Sequence, residues 1–144
     1  MDDGMVRMQH SLAVGFTSGT AMRSQADILQ NRLVSFGVTV CAMARRFPRD
    51  VAGTHVASQV VRSATAPAAH YAEARDAESR HDFIHKLKLG IKELRETSAW
   101  LDTAHQLGTA SPDLSEARRE CNELTAILVS SVKTARNRRL TIDD

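Results

Sequence analysis

The sequence predicts an all-α fold, an antiparallel up-and-down bundle of four helices. Aromatic residues make up 4% of the 144-residue chain, while Ala, Leu, Val, Glu and Arg are plentiful, as is typical of helices. Apolar residues also recur at three- and four-residue spacings in long segments separated by short breaks. A chain of this length fits one domain with one core.

The chain divides into three parts. Residues 1–26 mix Met, Gly, Ser and Thr without periodicity, which predicts a disordered leader. Residues 27–139 form the predicted bundle, and residues 140–144 are a polar tail.

The first two helices are predicted at 27–47 and 50–77. The residue before Pro48 is biased away from helix, so the first helix ends there. Pro67 interrupts the second helix and should kink it, unless the segment splits in two. The apolar face of the first helix consists of Leu29, Leu33, Phe36, Val40, Met43 and Phe47.

The last two helices are predicted at 80–107 and 112–137. Ser79 is a suitable N-cap for the third helix, and Gly108 lies just past its end. Ser111 caps the fourth helix and is followed by Pro112 at the first helical position.

The net charge and the spacing of the cysteines limit which partners and which cellular compartment we expect. The formal net charge is +2, and between residues 27 and 139 there are 17 Lys and Arg against 13 Asp and Glu. This mild excess permits contact with nucleic acid without requiring it. Cys41 and Cys121 have no CxxC partner, which predicts reduced thiols in a cytoplasmic protein. No apolar run predicts export or a membrane partner.

Two glutamates occupy an unusual place on the third helix. Glu93 and Glu96 lie beside Leu89, Trp100 and Leu107, well around the helix from the core stripe. Either this inner helix touches two neighbours, or its second apolar strip meets another subunit. Leu89, Trp100 and Leu107 are therefore candidates for an oligomer interface.

We interpret these carboxylates as members of interhelical ion pairs. Helices two and three form an antiparallel hairpin, so residues whose numbers sum to roughly 158 should face each other. Arg62 then faces Glu96, with Glu93 nearby. Glu73 falls opposite Lys86 and His85, and we expect it to contact one of them. A bidentate Arg suits a partly buried carboxylate, so we expect removal of Arg62 to destabilise the fold more than loss of a surface pair would.

Two groups of cations are candidates for nucleic-acid binding. One group shares an exposed sector of the third helix and the other lies at the end of the fourth helix: Lys88, Lys92 and Arg95, then Lys133, Arg136, Arg138 and Arg139. The alternatives are a solvated face with acidic Asp102 close by, and cations that simply favour a helix C-terminus.

Nothing in the sequence predicts an enzyme. No GxSxG, HExxH, P-loop or dinucleotide motif is present. Glu78-x-x-His81 and Asp102-x-x-His105 superficially resemble the pairs of di-iron bundles, but 24 residues of one helix span about 36 Å. We therefore expect no catalytic residues, no metal and no cofactor.

The run RSATAPAAHYAEARDAESRHDFIHKLKLGIKELRETSAWL, Arg62 to Leu101, resembles the bacterial 23S ribosomal RNA intervening sequence proteins. His70 and Pro67 depart from the Asn and the Ile or Val that are usual there. The matching positions are Arg62, Ser63, Ala64, Ala69, Glu73, Ala74, Asp82, Phe83, Leu87, Lys92, Glu93, Glu96, Trp100 and Leu101.

The resemblance implies a left-handed bundle that assembles into a ring-shaped homo-oligomer, a pentamer, with no established catalytic activity. Related bundles are accessory proteins of diversity-generating retroelements, in which a basic ring surface engages RNA and a reverse transcriptase. The expected function is therefore a non-enzymatic binding module for RNA or another nucleic acid. The alternative is a protein-binding scaffold or an accessory subunit of a reverse transcriptase or another nucleic-acid-processing protein.

Overall fold

The computed structural model describes residues 23–109 and 111–140, with side chains described as far as residue 138. It contains four α-helices in this part of the chain: α1 (Gln25–Ala44), α2 (Val51–Arg75), α3 (Arg80–Gln106) and α4 (Pro112–Leu140). No strand occurs among the described residues. The predicted all-α four-helix bundle is confirmed.

Six of the eight helix boundaries differ from the predicted ones, by one to three residues. Helix α1 begins at Gln25 rather than residue 27, because the Ser24 hydroxyl accepts a hydrogen bond from the amide of Asp27 at 3.1 Å. It ends at Ala44, three residues early, and the chain turns before Pro48. Helix α4 continues to Leu140. The predicted leader lies outside the described residues except for 23–26.

The residues that cap α3 and α4 are the ones predicted from the sequence. The Ser79 hydroxyl accepts from the amide of Asp82 at 3.0 Å, and the Ser111 hydroxyl accepts from the amide of Leu114 at 3.2 Å. Gly108 adopts φ +89° directly after α3, a conformation that glycine reaches without the steric cost of a Cβ. These three predictions are confirmed.

Pro67 does not split α2. The helix runs unbroken from Val51 to Arg75, and Pro67 is buried within it. Burial of its ring in the bundle offsets the backbone hydrogen bond that proline cannot make.

Each helix is antiparallel to its neighbours. Consecutive helices pack together and α1 closes the bundle against α4 through the least extensive interface. The direction is visible where two contacts join the same pair of helices. Between α3 and α4, the Leu94 carbonyl lies 3.1 Å from Cys121 Sγ, and Asp102 pairs with Arg118, so residue numbers fall along α4 as they rise along α3. The core is mostly apolar, with Leu33, Val40, Val60, Leu94, Leu101 and Leu124 completely buried. None of the described helices is both long and apolar enough to cross a membrane.

The start of α2 depends on a glycine. The Asp50 side chain caps the helix by accepting from the amide of Gly53 at 2.8 Å, which brings the first turn against Pro48. A Cβ on Gly53 would lie 2.0 Å from the carbonyl oxygen of Pro48. Only a residue without a side chain fits this turn.

We expect Gly53→Ala to destabilise the protein by at least about 2 kcal/mol, because the backbone must move to relieve the overlap. Thermal or urea unfolding followed by circular dichroism measures this. Gly90→Ala is the matched control, since its Cβ would meet the flexible end of Leu128 at 3.3 Å and His70 Cβ at an ordinary contact distance of 3.9 Å. Equal losses in the two variants would contradict the role of the Pro48 contact.

Candidate nucleic-acid interface

The hairpin of α2 and α3 carries the ion pairs considered from the sequence. The Arg62 guanidinium donates to the carboxylate of Glu96 and lies 3.4 Å from that of Glu93. One turn from the loop, Lys86 Nζ lies 2.8 Å from Glu73 Oε2. Arg62 remains 51% exposed, so its loss should be less damaging than the sequence suggested.

The second apolar strip of α3 is largely covered within the subunit. Trp100 is half-buried, donates from Nε1 to Glu96 Oε1 at 3.3 Å, and meets the ring of His55 edge-on with centroids 5.5 Å apart. Leu89 is also half-buried. Leu107 is 55% exposed, so of these three interface candidates it alone presents a largely open side chain.

A buried polar contact between α2 and α3 was not foreseen. The hydroxyls of Ser63 and Thr97 are hydrogen-bonded at 2.9 Å, and both side chains are completely buried. Thr97 also lies 2.8 Å from the Glu93 carbonyl, and Ser63 lies 3.3 Å from the Val60 carbonyl. Ser63 and Thr97 fall at facing positions of the hairpin. Counting residues from the turn could therefore have indicated this contact.

Ion pairs also join the other neighbouring helices. Each pair links a guanidinium to a carboxylate across an interface: Arg75 with Asp27 at 2.7 Å, Arg118 with Asp102 at 2.7 Å, Arg46 with Asp113 at 2.6 Å, and Arg32 with Glu120 at 2.6 Å. Arg32 also contacts Glu123. Glu120 and Glu123 hold the pKa of the Arg32 guanidinium above its ordinary range. These pairs neutralise much of the acidic surface.

The first turns of α3 and the end of α4 enclose an open cleft of about 720 Å³, which we call the basic cleft. Its lining residues are Ser79, Arg80, His81, Ile84, His85, Lys88, Arg136 and Asn137. No acidic residue is found among the described residues that line it. Asp82 lies on the Lys86 side of α3, where Glu73 and, to a smaller extent, Asp82 raise the pKa of that lysine. The cleft therefore concentrates positive charge from two helices.

The basic cleft continues into an exposed row of cations on α3. Lys88, Lys92 and Arg95, which we call the basic strip, are all exposed and spaced four and three residues apart. None of them forms an ion pair with another described residue. Asp102, which the sequence placed near this strip, is paired with Arg118 of α4. Its negative charge is thus directed away from the strip.

The structure separates the cations predicted at the end of α4. Arg136 lines the basic cleft, and exposed Lys133 lies one turn before it. Arg138 is exposed but lies about 160° around the helix from Arg136, so it serves a different surface. The side chain of Arg139 lies outside the described residues. Sequence reasoning missed Arg80, His81 and His85 as members of this site, because their proximity to α4 depends on the tertiary fold.

The cysteines are free thiols. Burial raises the pKa of Cys121 to about 12, so its thiol stays protonated and unreactive. Cys41 is half-buried on α1. Among the described residues, no three His, Cys, Asp or Glu side chains are grouped closely enough to hold a metal ion.

Comparison with models of known protein families shows which family the chain belongs to. The family model described as 23S rRNA-intervening sequence protein matches residues 26–130. The chain belongs to this family. No curated protein matched the sequence.

A solved structure is similar in fold to this family member. It is a protein of unknown function from the S23 ribosomal protein family of Bacteroides thetaiotaomicron. The two chains are 24% identical and superpose with a TM-score of 0.68 over 76% of this chain and 99% of the other. This similarity supports the four-helix architecture.

Acid titration tests the ion pairs of the hairpin. Arg62, and then the Trp100 indole, hold the pKa of Glu96 below its ordinary value, and Lys86 does the same for Glu73. Because the folded pKa is the lower one, the pairs stabilise the fold above the ordinary glutamate pKa and lose this contribution as pH falls through the folded value.

We expect the Tm of Arg62→Ala to be slightly below wild type at neutral pH and to converge on it in acid, as Glu96 becomes protonated in both proteins. Differential scanning fluorimetry across the acidic range measures this convergence. Arg119→Ala is the control, since Arg119 and Glu116 form a highly exposed pair within α4. A constant gap between Arg62→Ala and wild type would show that Arg62 does not act through a titrating carboxylate.

Proposed function

We propose that the protein is a non-enzymatic, homo-oligomeric module that binds the phosphate backbone of RNA in the cytoplasm. The observation that carries this proposal is the continuity of the basic cleft with the basic strip. Arg80, Lys88 and Arg136 supply permanent positive charge in the cleft, and Lys92 and Arg95 extend it along α3.

The internal ion pairs support this function by leaving the cations of this face available. A lysine or arginine already held by a carboxylate must lose that partner before it can contact phosphate. Asp102 is held by Arg118, whereas Lys88, Lys92 and Arg95 make no ion pair within the described chain. The positive face is therefore available without rearrangement of the bundle.

The chemistry of the cleft favours contact with backbone rather than with bases. No Phe, Tyr or Trp is present among the described residues that line it, which leaves only the imidazoles of His81 and His85 for stacking on bases, so stacking is not the main contribution. Arg, Lys and Asn donate hydrogen bonds to phosphate and sugar oxygens, and these contacts are largely independent of sequence. Binding should therefore be strongly dependent on salt.

A ring of five subunits, which the resemblance implies, belongs to the same proposal, because it would repeat the basic cleft around an axis. Such a surface could engage a nucleic acid together with a reverse transcriptase, as in accessory proteins of diversity-generating retroelements. A scaffold that binds only protein is the alternative, and the RNA measurement below separates the two.

We expect reversal of the basic strip, Lys88→Glu with Lys92→Glu and Arg95→Glu, to weaken RNA binding and flatten its salt dependence. Each phosphate contact on a single strand contributes about 0.7 to the slope of log affinity against log salt, so three contacts should account for about 2. Fluorescence anisotropy with a labelled single-stranded RNA over a series of salt concentrations measures both quantities. Arg80→Glu with Arg136→Glu tests the cleft in the same way.

A matched control keeps the change in net charge but moves it to other surfaces. Arg23→Glu with Arg49→Glu and Arg119→Glu alters three exposed arginines outside the cleft and strip. If this control weakens binding as much as reversal of the strip, the effect is one of total charge and the proposed site is wrong. No binding even at low salt would leave the protein scaffold as the function.

A further inference from the structure

The basic strip of α3 runs into the basic cleft without a break. His81 and His85 precede Lys88 at the same three- and four-residue spacings that join Lys88, Lys92 and Arg95. At about 100° per residue, the five side chains lie within about 40° of one direction on the helix. They therefore form one straight row, about 21 Å long, that starts in the first turn of α3.

Along this row, cations come from two helices only at the cleft end. The Leu94 carbonyl meets Cys121 Sγ, and the cleft joins the first turn of α3 to Arg136, so residues 121–136 of α4 run alongside residues 80–94 of α3. Residues 121–132 of α4 include no Lys or Arg, and Lys133 and Arg136 follow at the level of the cleft. Positive charge is thus one-sided along the strip and two-sided in the cleft.

The sign of the charge changes just past the cleft. The turn that leads into α3 carries Asp76 and Glu78, and both side chains are exposed. An RNA strand that continued beyond the cleft in the direction of the row would bring its phosphates towards these carboxylates, which repel them. The charge pattern therefore favours a strand that ends in the cleft over one that passes through it.

The donors of the cleft suit a phosphate at the end of a strand. Such a phosphate monoester carries a charge of about −1.5 to −2 at pH 7 and presents three strong acceptor oxygens, more than a phosphodiester within the chain. Arg80 and Arg136 offer planar forks that match phosphate geometry, and Lys88 adds a point charge. The volume of about 720 Å³ is in the range that holds a small ligand such as one nucleotide.

We propose that the basic cleft binds the terminal phosphate monoester of an RNA strand, while the phosphodiesters next to it follow the basic strip. This inference rests on the proposed function, because the strip must hold the backbone. It also goes further, since it makes a phosphorylated RNA end the preferred ligand rather than any stretch of backbone.

Competition between RNAs that differ only at their ends tests this preference. Short unlabelled RNAs of one sequence, with a 5′-phosphate, a 3′-phosphate or hydroxyls at both ends, displace an internally labelled RNA, and fluorescence anisotropy gives their relative affinities. We expect a phosphate at one end to tighten binding about tenfold, the size of effect that charge-assisted hydrogen bonds supply. An RNA that is one nucleotide longer and has hydroxyl ends controls for the added charge, and it should gain much less.

Two pairs of substitutions that remove the same amount of charge locate the preference. Arg80→Gln with Arg136→Gln should weaken both kinds of RNA and abolish the preference for the phosphorylated end. Lys92→Gln with Arg95→Gln should weaken both kinds of RNA and leave the preference unchanged. All four side chains are exposed, so circular dichroism should show an unchanged helix content in both variants.

The outcomes separate this proposal from the one on which it rests. If hydroxyl-ended RNA binds as tightly as phosphorylated RNA, or if the longer control gains as much as the phosphorylated RNA, recognition of the end is wrong and backbone binding stands. A preference that survives the loss of Arg80 and Arg136 overturns the cleft as its site. Failure of every RNA to bind at low salt overturns both proposals.

Discussion

The antiparallel register of α2 and α3 is the constraint on which the rest of the molecule depends. The buried hydrogen bond between Ser63 and Thr97 is satisfied only when the two helices are level at this point. Arg62 with Glu96, and Lys86 with Glu73, then come together on the outside of the same hairpin. Buried and exposed polar contacts thus specify one alignment, while the apolar core supplies most of the stabilising free energy.

Ion pairs between helices also occur elsewhere in the bundle, and they determine how charge is distributed over its surface. Asp27, Asp102 and Glu120 are each held by an arginine of a neighbouring helix. Exposed pairs of this kind add little to stability, but they remove carboxylates from the parts of the surface where they would oppose a phosphate. A chain with a formal charge of only +2 can therefore present a basic face on α3.

The helices and the facing positions of the hairpin could be predicted because both depend on local periodicity. A short loop fixes how α2 and α3 align, so counting residues from the turn was enough to place Arg62 near Glu96. The pairing of Arg32 with Glu120 spans 88 positions and depends on how α1 closes against α4, which no local pattern specifies.

The basic cleft, too, could be predicted only in part, because local patterns identify some of its residues and the tertiary fold brings in the others. Lys88 and Arg136 were recognisable as exposed cations, but only the folded bundle places them beside Arg80, His81 and His85. The sequence predicted one second helix but left open whether Pro67 splits it, since that depends on how well the ring packs in the core.

Photo-cross-linking of a single-stranded RNA at low salt, followed by mass spectrometry of the attached peptides, tests the central claim most directly. The account predicts attachment sites within residues 80–95 of α3 and 133–138 of α4, the segments that build the basic cleft and strip. Attachment confined to α1 and α2 would contradict it, because the cations there are engaged in internal ion pairs or lie away from the cleft.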